Sequence, residues 1–61
     1  MNIDPLTRQN LVRLAYLALC VKGRSRKAVR ESLVKHHAMV GLTPQDREKL
    51  SKEIISEALY E

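Results

Sequence analysis

Leu11 to Val21 reads LVRLAYLALCV, an apolar run interrupted once, by Arg13. Wound as a helix, it puts large apolar side chains on nearly every side, and such a helix must be covered from several directions. The run is too short for a bilayer, which takes about 20 apolar residues. It has the outline of a lipoprotein signal, since Arg8 and Arg13 precede a stretch ending Leu17-Ala18-Leu19-Cys20. That signal requires a small residue before the cysteine and a longer uninterrupted apolar stretch. Leu19 is large, so the expectation is a cytoplasmic protein in which Cys20 is a small core residue.

Outward from this run, the chain is punctuated as helices. Asp4-Pro5 reads as an N-cap followed by proline at the first helical position, where the missing N–H costs nothing. Gly23 suits the left-handed residue just past a helix end, which gives a first helix over residues 5–22. Ser25 caps a second helix over 26–40, stopped by Gly41 in the same way. Thr43-Pro44 repeats the first device, and Asp46 stands where a capping box places its acid, so the third helix covers 44–59. No stretch alternates apolar and polar residues as a half-buried strand would. The expected fold is one all-α domain of three short helices spanning 1–61.

The second and third helices are amphipathic in the ordinary way. Val29, Leu33, His36 and Val40 share one stripe of the second; Leu50, Ile54 and Ala58, widened by Ile55 and Leu59, share one stripe of the third. His36 is expected as a hydrogen-bonded core histidine. Two such partners cannot enclose a helix that is apolar all round. At 61 residues a chain buries only about 60% of its unfolded surface. A single cysteine excludes an internal disulfide. The economical solution is a homodimer with the first helix at its centre, self-associating through Leu11, Leu14, Tyr16, Leu17, Leu19 and Val21. Leu17 is then a core position, where an aspartate would unfold the chain or prevent assembly.

Charge is uneven along the chain. Residues 1–41 carry eight Lys/Arg against two acids, and residues 42–61 carry three against five, within a net charge of +4. Lys22, Arg24, Arg26, Lys27 and Arg30 crowd the first turn and the helix beginning there. Lys22 and Arg24 suit the C-terminal end of a helix dipole, but Arg26 and Lys27 oppose the dipole they open, so helix stability does not account for them. This segment is the candidate contact for a macromolecular partner. Gly23, Ser25, Val29 and Leu33 stand at the turn-glycine, plus-two, plus-six and plus-ten positions of the helix-turn-helix in DNA-binding regulators, which the segment resembles over about 20 residues. The resemblance implies duplex contact by the second helix. The chain departs from that pattern at Leu19, where alanine is preferred, and at Lys22, where an apolar residue is. With two tyrosines and no Phe or Trp, stacking on single strands is disfavoured.

Other chemistry is sparse. Neighbouring His36 and His37 point about 100° apart in a helix and cannot chelate together easily. Cys20 with either histidine lacks both the further ligands of a zinc site and the orienting group of a nucleophile–base pair. Glu48, Lys52, Glu53, Glu57 and Glu61 give the third helix a mostly acidic polar side, expected to be solvated. The expectation is no enzyme, no cofactor and no metal. In size, charge and compact helical caps the chain is similar to small helical accessory proteins of temperate phages and other mobile elements. That resemblance implies modulation of a larger machine by binding. A regulatory or adaptor protein that docks on another protein is the first expectation, and a helix-turn-helix-like transcriptional regulator is the alternative.

Overall fold

The computed structural model describes residues 3–60; its regular elements are all helical, with no strand among the described residues. The order is α1 (Pro5–Tyr16), a π turn (Leu17–Val21), α2 (Arg26–Val34), a short 3-10 turn (His37–Met39) and α3 (Pro44–Leu59). The all-α expectation holds, and so do all three caps. Asp4 Oδ2 accepts from the Thr7 N–H at 3.2 Å, Ser25 Oγ from Ala28 at 3.1 Å and Thr43 Oγ1 from Asp46 at 3.1 Å. Each satisfies an N–H that the first turn of a helix leaves without a backbone partner. Gly23 and Gly41 take the left-handed backbone at φ 66° and 97°.

α3 lies across both other helices, and the π turn also touches α2. Leu50, Ile54 and Ala58 of α3, with Ile55, meet Leu11 and Ala15 of α1 and Val29 and Leu33 of α2 in one buried cluster. Two ion pairs lace the same layers. Arg8 of α1 bonds Glu57 at 2.7 Å, and Arg30 of α2 reaches Glu48 at 3.7 Å. The acidic side expected to be solvated therefore partly ties α3 to its neighbours.

Several sequence expectations need correction. The second helix ends at Val34, not at residue 40. His36 leaves the helix with extended backbone and its Nδ1 accepts from the Ala38 N–H at 3.1 Å. A side chain that captures a backbone donor two residues on competes with helix continuation. The resulting 3-10 turn drives Met39 fully into the core and leaves Val40 77% exposed, so Met39 takes the place assigned to Val40. His36 is half-buried, and its ring stacks on His37 with centroids 4.3 Å apart instead of diverging from it.

The π turn is the third departure from a simple helix. Lys22 N–H bonds the Leu17 carbonyl, and Arg24 N–H bonds Ala18 at 2.9 Å. That closure reaches one residue further back than the usual glycine-stopped helix end. It leaves Cys20 exposed, contrary to its assignment to the core. The radius of gyration, 10.5 Å, matches the value of about 10.5 Å for a compact chain of this length. Whatever apolar surface remains outside is therefore not the result of loose packing.

Candidate interaction surface

One face of α1 and the π turn remains uncovered. Leu6, Leu14, Leu17 and Val21 are 65, 47, 43 and 69% exposed, and helical spacing sets them on a single stripe. Leu11 and Ala15, the buried pair, lie more than a quarter turn around the same helix. α1 therefore carries two apolar faces, of which the chain buries one. On the side towards α2 the stripe falls into a groove of about 180 Å³. Leu14, Leu17 and Ala18 form one wall, Val29, Ser32 and Leu33 the other, and Lys22 and Arg24 stand at its rim.

The residues expected to drive self-association divide three ways. Leu14, Leu17 and Val21 belong to the exposed stripe. Leu11, 2% exposed, lies in the core of the single chain, and Leu19 packs partly against that core. Tyr16 is exposed elsewhere on the helix, beside a shallow depression shared with Arg13 and Glu57. Leu17 is a surface residue of the single chain, which leaves its side chain open to a second copy. Leu6 and Ser32 extend the surface and were missed. Leu6 lies eight residues before Leu14, a spacing that marks the same face.

The basic residues divide as well. Lys22 and Arg24 border the groove, whereas Arg26 and Arg30 border a second depression with Lys52, Ile55 and Ser56 of α3. Arg30 leans towards Glu48, and Lys27 stands on the face of α2 opposite Val29 and Leu33. All residues from Cys20 to Lys27 are exposed. The five cations thus divide between the groove rim, the depression against α3 and the outer face of α2, without converging on one spot.

His36 lies away from this surface, at the end of α2. Burial, and after it the neighbouring His37, lowers its pKa from the usual histidine value. Among the described residues no three of His, Cys, Asp and Glu come together as metal ligands. No helix among them is long and apolar enough to cross a membrane. Comparison of the chain with protein-family models, curated proteins and solved structures finds no match.

Proposed function

We propose that the chain is a non-enzymatic cytoplasmic regulatory or adaptor protein that acts by binding another protein. The observation that carries this reading is the second apolar face of α1, left uncovered beside a groove with cationic rims. Exposed apolar patches of a few hundred Å² edged by polar residues mark interaction sites. The basic rim favours a partner with acidic residues flanking its apolar anchors. Before that partner arrives, two copies cover the stripe against each other as a homodimer, and partner and second copy compete for Leu14 and Leu17. The resemblance to phage and mobile-element accessory proteins supports control of a larger machine by occupancy of this kind.

A second reading has one observation in its favour, the complete exposure of the segment from Lys22 to Lys27. In that reading the Gly23 turn and α2 contact duplex DNA. The ion pair of Arg30 with Glu48 diverts one of the cations that reading needs. Two assays on the intact protein separate the readings: capture of partners from extracts of the source cells, and anisotropy with random duplex DNA at low and near-physiological salt. The protein-docking reading expects a captured protein that is lost when Leu14 and Leu17 are both changed to glutamate, with weak, sequence-blind duplex binding. Tight duplex binding that falls steeply with salt, and disappears in an Arg24→Glu/Lys27→Glu variant, would overturn it.

A further inference from the structure

The uncovered stripe has a direction, and the direction orients a second copy. Thr7, Asn10, Leu14, Leu17 and Val21 follow one another at spacings of three and four, the alternation of a coiled-coil seam. Along that seam the composition is graded. Its first half is polar (Thr7 and Asn10) and its second half apolar (Leu14, Leu17 and Val21), while Leu6 flanks the polar half. Charge is graded in the same sense. Asp4 stands exposed at the start of α1, and Lys22 and Arg24 stand exposed at the far end. Arg24 N–H bonds the Ala18 carbonyl, and Arg24 lines the groove together with Leu14, Leu17 and Lys22.

We propose that a second copy of the chain lies antiparallel along this stripe, with the two-fold axis at Leu14. This inference rests on the homodimer reading above and specifies it. In an antiparallel pair centred there, residues equidistant from Leu14 oppose each other. Val21 meets Thr7 of the second copy, with Leu6 alongside, so the two most exposed apolar residues of the stripe cover each other. Arg24 meets Asp4 of the second copy at both ends of the interface. The apolar stem of Lys22 spreads over Leu6 while its ammonium stays in water.

A parallel pair fails on charge. It brings Lys22, Arg24 and Lys27 of both copies to one end and sets Asp4 against Asp4 at the other. Like charges juxtaposed in this way are strongly disfavoured at an interface. Antiparallel helices also oppose their dipoles favourably. The contact runs along 17 residues of helix (Pro5–Tyr16 and Leu17–Val21), about 25 Å of length.

The experiment uses the full chain with Cys20→Ser as background, carrying either Thr7→Cys or Val21→Cys, under mild oxidation. Neither variant disturbs the buried core, and each is checked for a wild-type circular dichroism spectrum before use. The expected result is efficient disulfide formation only when the two variants are mixed, linking position 7 of one copy to position 21 of the other. Cross-linking of the Val21→Cys variant with itself would overturn the antiparallel orientation and leave the homodimer intact. Sedimentation of the unmodified protein as a 7.0 kDa species at all concentrations would remove the homodimer itself. A two-copy mass with no cross-link in any combination would place the interface away from α1. A further readout is charge. Asp4→Asn keeps a good N-cap but removes the carboxylate, and raises the dimer dissociation constant by roughly three- to tenfold at low salt. An unchanged constant would break the proposed pairing with Arg24.

Discussion

Leu17 and Leu11 are six residues apart on one helical segment, and the structure assigns them different tasks, so aspartate at Leu17 is an informative perturbation. Leu17 is 43% exposed in the single chain. Full burial of leucine contributes about 1.5–3 kcal/mol, so the part of Leu17 already covered contributes about 1–1.5 kcal/mol. A chain of this length has a stability of about 3–9 kcal/mol, and Leu17→Asp is therefore expected to remain folded. Its effect on assembly is larger. Covering the remaining surface of Leu17 contributes about 1 kcal/mol per copy. Two copies lose about 2 kcal/mol, which raises the dimer dissociation constant about thirtyfold.

The contrast is Leu11→Ala at 2% exposure, which costs about 2–5 kcal/mol by cavity formation and threatens the fold itself. Thermal melts followed by circular dichroism at low micromolar concentration, paired with sedimentation equilibrium over a concentration series, read both quantities. A Leu17→Asp protein without helical signal would refute the placement of Leu17 on the surface. A folded Leu17→Asp protein that self-associates like wild type would refute the stripe as an interface.

Two further outcomes follow from groups inside the fold. Ser51 is fully buried on α3 and its hydroxyl has no hydrogen-bond partner; Ser51→Ala is expected to stabilise the chain by about 1 kcal/mol, raising Tm by roughly 4–8 °C, and a lowered Tm would show that the hydroxyl is bonded after all. Because burial lowers the pKa of His36 in the folded chain, the unfolded chain binds the extra proton first, and the contribution of His36 to stability is complete above about pH 6.5 and declines as pH falls below it. His36→Asn keeps an acceptor for the Ala38 N–H and is expected to flatten that part of the curve of denaturation midpoint against pH; an unchanged slope would assign the dependence to other groups.

The elements legible in the sequence are those whose cause is local. Asp4, Ser25 and Thr43 each bond an N–H three residues away, so four residues of sequence contain the whole interaction. Gly23 and Gly41 are legible for the same reason, since only the backbone at that residue decides the left-handed conformation. The end of α2 was hidden because histidine is not among the usual capping residues. His36 assumes that role here, where Met39 has to reach a core built largely by α3. The π turn left no trace either: Leu17-Ala18-Leu19-Cys20-Val21 contains nothing that disfavours an ordinary α-helix. Its wider winding is set by contacts with α2 and by the closure on Arg24, which no local pattern encodes. For the candidate surface, the apolar excess on the first helix was visible as more surface than two amphipathic partners could cover. Which half of that excess stays outside was not visible, because it depends on the direction from which α3 approaches.

The π turn also gives the end of the surface a tolerance to chain length. A π turn accommodates one residue more than the α-helical path over the same rise. Removing one residue between Leu17 and Val21 is expected to let the helix return to ordinary winding, with Leu6 and Leu14 before it and the start of α2 after it left in place. The same deletion within Pro5–Tyr16, where the winding is already α, would instead rotate everything beyond it by about 100° and turn the rim of Lys22 and Arg24 away from the stripe.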